Sequence, residues 1–192
     1  MATPVSTSIP ADSVAQFSGV QGQGGWYFGY IEPAGSKKFT LLPHFEANAK
    51  TDLVTNGMWR IDDMFGPGPV YYTSLFAVGG HPNGGQGDSN GKPLEQWAVR
   101  RWVSNVSGTM DISGVFGDEP HFPSSPLVDG VVGRVEVDGT TVWTHTSSGK
   151  EAESTYNVQA RVKIGSVIDF IIEPRVYQND DWAKFTAVIK LR

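Results

Sequence analysis

Residues 95–102 read EQWAVRRW, which places two tryptophans and two adjacent arginines close together. Tryptophan rings can stack on the apolar faces of sugar rings, and arginine forks match carboxylates or pairs of hydroxyls. In an extended strand, Trp97 and Arg101 share one face, whereas Arg100 and Trp102 share the other. Each face therefore carries one tryptophan and one arginine, so alternation alone does not decide which face is buried.

Two further rings and a histidine extend the set of candidate ligand-binding residues. MWRIDDMFGPGPVYY places Trp59 near Tyr72, and the two could form part of a binding platform or simply a strand end with a solvated turn. His81 lies in the glycine-rich segment GGHPNGG, where packing does not account for a histidine. With arginines and tyrosines nearby, it would suit a polysaccharide lyase, which neutralises a uronate carboxylate and removes the adjacent proton.

Carboxylates raise the question of glycoside hydrolysis, but no spacing among them singles out a catalytic pair. The available residues are Glu95, Asp118, Glu119, Glu136 and Glu173. The sequence also contains no Ser-His-Asp signature, phosphate-binding loop, dinucleotide fingerprint or HExxH zinc motif. The residues therefore favour a non-catalytic domain over an enzyme.

Three short acidic segments predict a calcium site. GDEP, SPLVDG and QNDDW combine carboxylates and carbonyls in tight loops, and Ca²⁺ takes oxygen ligands of this kind. The chain has no cysteine, which excludes thiolate metal sites and disulfides. The best candidates for calcium ligands are Asp129, Asp180 and Asp181.

Short apolar runs separated by turn residues are typical of an all-β chain. GGWYFGYIE and KKFTLLPHF predict one hairpin, and Asp138-Gly139 between alternating segments predicts another. Alternation over residues 158–164 places Val158, Ala160, Val162 and Ile164 towards the core. Glycine (23) and proline (12) punctuate these runs. About ten strands would then form an antiparallel two-sheet β-sandwich of jelly-roll type.

Length and charge narrow the class of protein. The 192 residues suffice for one β domain with a core, which we expect over residues 15–192. Residues 1–14 are expected to be a flexible leader or linker remnant, not a signal peptide. A formal net charge of −5 disfavours nucleic acid as a partner, and no apolar stretch predicts a membrane span. Residues 79–93 contain no hydrophobic residue and predict a long exposed loop.

The second half of the chain resembles a known kind of module. The succession WAVRRWVSNVSGTMDISG, DGVVGRVEVDGTTVW, VKIGSVIDFIIEP and NDDWAKFTAVI resembles a β-sandwich of secreted bacterial proteins, similar in outline to carbohydrate-binding jelly rolls. FSGVQGQGGWYFGY and GGHPN resemble it more loosely. The resemblance implies a secreted or cell-surface location, often an attached polysaccharide-degrading domain, and frequently a structural calcium. It is specific for the fold and weak for the ligand.

The sequence therefore predicts a non-catalytic carbohydrate-binding module that recognises a polysaccharide through aromatic and arginine side chains. A lyase or other enzyme acting on an acidic glycan is the first alternative, and a structural domain of a cell-surface protein is the second. Within EQWAVRRW we expect Trp102 between the sheets and Trp97, Arg100 and Arg101 at the ligand. Because an unpaired buried charge costs several kcal/mol, we expect Arg100 at the rim beside His81, or on a bulge that re-aims it.

Overall fold

The computed structural model describes residues 10–35, 37–50, 54–61, 71–84, 95–119, 128–148, 153–176 and 180–192. Their strands form two antiparallel sheets, which confirms the predicted β-sandwich. Within these ranges the only helix is a single 3₁₀ turn at Gln23–Gly25, and no helix is long and apolar enough to cross a membrane.

The strands in chain order are β1 (Ala11–Asp12), β2 (Trp26–Ile31), β3 (Phe39–Leu41), β4 (His44–Glu46), β5 (Met58–Arg60), β6 (Ser74–Phe76), β7 (Gly79–His81), β8 (Trp97–Val103), β9 (Gly108–Asp118), β10 (Val131–Val137), β11 (Thr140–Thr146), β12 (Ser154–Val162), β13 (Val167–Pro174), β14 (Ala183–Phe185) and β15 (Val188–Leu191).

The longer strands determine how the two sheets are arranged. In the nine-stranded sheet, β9 pairs with β12 and also with β14 and β15. From β14 the sheet continues through β7, β6 and β5 to β4, and from β15 it continues to β1. The six-stranded sheet has the order β11-β10-β13-β8-β2-β3. The EQWAVRRW segment therefore lies in the interior of the six-stranded sheet, with β13 on one side and β2 on the other.

Both predicted hairpins are confirmed. Strand β2 pairs with β3, and β10 pairs with β11 through a turn at Asp138 and Gly139. These two turn residues have φ of 49° and 79°, the positive values that tight hairpin turns require. The Asp138 carboxylate also accepts hydrogen bonds from Ser166 Oγ (2.9 Å) and Val167 N (2.8 Å), which ties the turn to the start of β13.

The core lies between the sheets and is rich in aromatic side chains. Its largest fully buried members include Trp26, Phe28, Trp102, Phe116 and Phe170. Alternation in β12 holds as far as Val162, which is buried, but the inward prediction for Ile164 is wrong because that side chain is 70% exposed. The strand ends at Val162, and the following turn, with Gly165 at φ 84°, breaks the alternation.

The sandwich begins earlier in the chain than the sequence suggested. Ala11 pairs with Ile189 and is fully buried, although it lies in the expected flexible leader. The buried Ser13 accepts a hydrogen bond from Ala187 N through its Oγ atom at 2.8 Å. Residues 1–9 lie outside the described residues.

Part of the predicted loop at 79–93 is also built into the sandwich. Gly79 and Gly80 form strand β7 and are buried. A Cβ on Gly79 would lie 1.8 Å from the Ala183 carbonyl oxygen, so only glycine allows β14 to approach this closely. Residues 85–94 of the predicted loop lie outside the described residues.

Candidate functional site

Trp102 is a core anchor, as predicted. Its side chain is 1% exposed, and it lies opposite Trp26 in the register between β8 and β2. The indole Nε1 donates a hydrogen bond to the Gly24 carbonyl oxygen at 3.2 Å. A buried tryptophan is stabilised when its N–H finds an acceptor in this way.

Arg100 is also buried, and its predicted position at the rim or on a bulge is wrong. The residue is 2% exposed and faces the core beside Trp102, and the register of β8 with both neighbours is continuous. Its Nη1 donates to the Phe185 carbonyl oxygen at 3.1 Å, and its Nη2 donates to the Phe76 carbonyl at 2.5 Å and more weakly to that of Gly79 at 3.4 Å.

These acceptors belong to the nine-stranded sheet or its turns, so the Arg100 side chain crosses the sandwich and links its two layers. Burial lowers the pKa of Arg100 to about 10, against the opposing influence of Tyr156 and Asp12. The hydrogen bonds of the Arg100 guanidinium therefore go to main-chain carbonyls and not to a carboxylate. A ligand outside the sandwich has no access to this guanidinium.

Trp59 likewise belongs to the core and does not form a surface platform. It is 5% exposed, and its ring stacks on Phe28 with centroids 5.9 Å apart and an interplanar angle of 12°. Its Nε1 donates to the Ser18 carbonyl oxygen at 2.9 Å. The predicted role of Trp59 in ligand binding is therefore incompatible with its burial.

His81 and Tyr72 form an aromatic cluster with Trp182. His81 is the last residue of β7 and is 4% exposed, so the expectation of an unpacked loop histidine is wrong. Its ring centroid lies 5.7 Å from that of Tyr72 and 5.5 Å from that of Trp182. Tyr72, at 36% exposed, is the accessible member of the three. The sequence analysis did not predict a role for Trp182. Its position directly after the acidic pair of QNDDW could have drawn attention to it.

Trp97 lies on the outer face of the six-stranded sheet, beside a pocket of about 240 Å³. The ring is partly buried, and its Nε1 donates to Glu95 Oε1 at 2.7 Å. Because β8 lies between β2 and β13, side chains from four separate segments surround the pocket. We call this site the outer-face groove, and its lining residues are Ile31, Pro33, Lys37, Trp97, Glu136 and Ile171.

A partly buried charge network borders the outer-face groove. The Arg134 guanidinium lies over the Trp97 ring, 5.3 Å from its centroid. It forms ion pairs with Glu136, at 3.4 Å, and with Glu173. Burial is the main cause that raises the pKa of Glu173 to about 6; Glu136 and Glu95 raise it further, whereas Arg134 lowers it.

Arg101 shares this outer face with Trp97, as predicted, but its guanidinium is engaged within the protein. It binds Asp169 through two hydrogen bonds of 2.7 Å and 2.8 Å, and it lies 4.0 Å from the centroid of the Phe39 ring. Burial raises the pKa of Asp169, although Arg101 opposes that shift. The bidentate pair fixes the orientation of Arg101 on the sheet.

The structure thus divides the predicted binding residues into three groups. Trp97 and Arg101 share the outer face, Tyr72 and His81 form a separate cluster in and beside the nine-stranded sheet, and Trp59 and Arg100 lie in the core. Sequence reasoning missed Arg134 as a partner of Trp97. That contact depends on which strands are neighbours, and local alternation does not reveal the order of strands in a sheet.

One carboxylate or more from each of the three acidic segments lies where β9 ends and β14 begins, a region that we call the acidic edge. Asp118 and Asp181 are 7% and 0% exposed, and none of their four carboxylate oxygens accepts a hydrogen bond. The nearby backbone N–H of Glu119 donates instead to the Trp182 carbonyl oxygen at 2.6 Å.

Burial and mutual repulsion act on both carboxyls. Burial is the largest cause that raises the pKa of Asp118 to about 7 and that of Asp181 to about 9. The carboxylates of Asp129 and Asp180 raise both values further, so the predicted calcium residues do influence each other. Arg175 acts on Asp181 in the opposite direction.

Asp129 already makes hydrogen bonds within the protein. Its Oδ2 accepts a hydrogen bond from Val176 N at 2.8 Å, and its carbonyl oxygen accepts one from Arg175. Within the described ranges, no group of three His, Cys, Asp or Glu side chains is arranged to hold a metal ion. The unsatisfied oxygens of Asp118 and Asp181 fit a cation, which would take its remaining ligands from carbonyl oxygens or water.

The fold and the groove together define an antiparallel β-sandwich with a partly aromatic, charged pocket on one sheet. No protein-family model matches the sequence, and no curated protein matches it. Similar solved structures include carbohydrate-binding modules, the kind of domain that the second half of the sequence resembles.

Three of these structures illustrate the similarity. The tandem family 51 carbohydrate-binding modules of a family 98 glycoside hydrolase from Streptococcus pneumoniae are 12% identical, with a TM-score of 0.42, over 59% of this chain and 37% of that one. A Clostridium perfringens ZmpB structure with an M60 catalytic domain and two such modules is 11% identical, with a TM-score of 0.40, over 97% and 20%. A family 35 carbohydrate-binding module from Clostridium thermocellum is 12% identical, with a TM-score of 0.31, over 48% and 69%.

The chain therefore spans well under half of the first two of these structures. At such identities and TM-scores, the similarity supports no conclusion about ligand or activity.

Proposed function

We propose that this domain is a non-catalytic carbohydrate-binding module that holds a polysaccharide chain in the outer-face groove. The observation that carries the proposal is the pocket beside Trp97, where a partly exposed indole borders polar and charged groups. Aromatic faces and a small number of fixed polar groups are what a sugar ring requires.

The dimensions of the pocket favour binding along a chain. Its volume of about 240 Å³ is below the roughly 300–1,000 Å³ typical of sites that enclose a drug-sized ligand. It would hold one sugar ring, while the neighbouring rings lie on the open face of the sheet. Leu41, which is 45% exposed in β3, offers apolar surface on that face.

The test is retention on a panel of insoluble polysaccharides, combined with assays for new reducing ends and unsaturated ends. Retention without products is the expected result. Products would favour the alternative of a lyase or another enzyme on an acidic glycan. Failure to bind any member of the panel would overturn the proposal and favour a structural domain of a cell-surface protein.

Two alanine variants locate the site. Trp97→Ala should abolish most retention, because a stacked ring contributes about 1 kcal/mol or more beyond its buried area. Its melting temperature should change little, since the ring lies outside the core. Tyr72→Ala removes the accessible ring of the other aromatic cluster and should leave retention intact. If Tyr72→Ala lost retention and Trp97→Ala kept it, the binding site would instead lie at the aromatic cluster beside the nine-stranded sheet.

We also propose that a calcium ion binds at the acidic edge, with Asp118 and Asp181 as ligands together with oxygens of the loops that carry Asp129 and Asp180. A cation would satisfy carboxylate oxygens that no hydrogen bond reaches. Excess calcium should raise the melting temperature above that measured with chelator, because a ligand of the native state stabilises it. Asp181→Asn should remove that difference. An unchanged melting temperature in the wild type would count against the site.

The biological setting follows from the same proposal. A module of this type would act at the cell surface or outside the cell, attached to a catalytic domain that it delivers to the polysaccharide. Immunodetection of the native protein in cell fractions would test the location. Recovery from the cytosol alone would contradict it.

A further inference from the structure

The outer-face groove has more carboxylates than cations to balance them. Arg134 is shared between Glu136 and Glu173, and Glu95 approaches the same group as the acceptor of the Trp97 indole N–H. Lys37 lines the pocket and adds one further positive charge. Among the described residues, three carboxylates therefore lie around Trp97 against two cations.

Arg101 does not restore the balance, because its charge is already neutralised. Both of its hydrogen bonds to Asp169 are short, at 2.7 Å and 2.8 Å, and the carboxylate is buried. An anionic ligand would have to break this bidentate pair and leave Asp169 buried without its partner. Leaving a buried charge unpaired is costly.

Glu173 is a further carboxylate beside the groove. It is 8% exposed, and its Oε1 forms an ion pair with Arg134. Ile172 pairs with Ala98, so Glu173 lies on the same outer face as Trp97. The Glu173 carboxylate therefore adds negative charge beside Trp97.

We propose that the outer-face groove selects glycans by charge: it binds chains of amino sugars with free ammonium groups more tightly than the neutral chain of the same linkage, and it rejects chains that carry uronates. This inference rests on the proposed carbohydrate-binding function and names its ligand class. An ammonium at the ring stacked on Trp97 would donate to Glu136 or Glu95. A uronate carboxylate would meet the same groups as like charges.

Four hexasaccharides with one β-1,4-linked gluco backbone test the proposal by calorimetric titration of the whole chain. The probes are cellohexaose, the hexamer of N-acetylglucosamine, the hexamer of glucosamine, and the hexamer of glucuronate, in a buffer acidic enough to protonate the amines. We expect the glucosamine hexamer to bind about tenfold more tightly than cellohexaose, as one charge-assisted hydrogen bond would give. The glucuronate hexamer should not bind.

Charge variants separate recognition in the groove from general attraction to an acidic protein. Glu136→Gln and Glu95→Gln should each reduce the preference for the amino sugar, while their melting temperatures report that they fold. Asp111→Asn is the matched control: it removes the same charge from the outer face of the nine-stranded sheet, where Asp111 only accepts a hydrogen bond from Gln159. It should leave the preference unchanged.

Each outcome has one meaning. Equal loss of preference in the groove variants and in Asp111→Asn would overturn the inference, because the attraction would then be non-specific. Equal binding of cellohexaose, or tighter binding of the glucuronate hexamer, would overturn it while the carbohydrate-binding function stood. Absence of binding to all four hexasaccharides would also overturn it, and only a further absence of retention on the whole polysaccharide panel would overturn the function as well.

Discussion

Replacing Arg100 with methionine tests whether the buried cation serves the fold or the ligand. The variant removes the guanidinium and keeps an unbranched apolar side chain that can pack in the core. The groove on the other side of the strand is left unaltered. We expect Arg100→Met to lower stability and to leave glycan retention at the wild-type level.

The magnitude follows from two opposing effects. Burial lowers the pKa of Arg100 from 12.5 to about 10, so the cost of removing its charge from water offsets part of what its hydrogen bonds contribute. Hydrogen bonds to a charged group contribute about 1.5–3 kcal/mol each. The two shorter bonds, to Phe185 and Phe76, therefore supply about 3–6 kcal/mol, and the longer bond to Gly79 adds to this. Removal of the cation should cost a net amount of about 1–3 kcal/mol.

Arg100→Lys sharpens this test. Lysine keeps a buried charge, but its single ammonium cannot span the separate carbonyls that the guanidinium fork reaches. It retains the cost of burial and loses part of the compensation, so Arg100→Lys should be less stable than Arg100→Met in urea denaturation. A methionine variant at least as stable as wild type, or a lysine variant more stable than the methionine one, would refute this reasoning. If a folded Arg100→Met variant lost glycan retention, Arg100 would have a role in ligand binding after all.

Three other expected results concern separate parts of the sandwich. Trp102→Ala should destabilise the domain by about 3–5 kcal/mol in urea denaturation, as a truncation in the core, and a loss below about 1 kcal/mol would contradict its role as an anchor. Glu173 has its pKa raised from 4.5 to about 6, so the native state holds that proton more tightly and stability falls as pH rises through this interval. Glu173→Gln should therefore melt higher than wild type at about pH 8, with the gap closing towards about pH 4.5, and a gap independent of pH would contradict the shift. Gly139→Ala should cost about 1 kcal/mol through its φ of 79° alone, because a Cβ there would meet no atom within 4 Å, and an unchanged melting temperature would contradict that backbone strain.

Local sequence patterns predicted those parts of the fold that neighbouring residues determine. The hairpin at Asp138 and Gly139 depends on two residues that accept positive φ, and both are adjacent in the chain. The burial of Trp102 was predicted from one strand and its surroundings. Calcium ligands were predicted at Asp129, Asp180 and Asp181, and these carboxylates lie close enough to Asp118 and to one another to influence their pKa values. For the hairpin and for Trp102 the decisive feature lies within a few residues, whereas the proximity of the acidic residues depends on the fold.

The positions of Arg100 and His81 could not be predicted in the same way. Arg100 is tolerated in the core only because carbonyls from Phe76 and Phe185, on distant strands, point at it across the sandwich. His81 is packed because Gly79 lets β14 approach β7 closely and Gly80 does the same for β6, whereas the composition of the segment indicated a loop. Both outcomes depend on which strands face each other, and hydrophobic alternation does not contain that information.

The adjacent arginines of β8 help to explain the character of the groove. Arg100 points inward and is held by main-chain carbonyls, and Arg101 points outward and is held by Asp169. Each guanidinium is thus engaged within the protein before any ligand arrives. The groups that remain for recognition around Trp97 are its ring face and the carboxylates that share Arg134. In the sequence, the pair of arginines suited carboxylates or pairs of hydroxyls on a ligand, but because both guanidinium groups are engaged within the protein, the proposed ligand is one that donates hydrogen bonds to the carboxylates around Trp97.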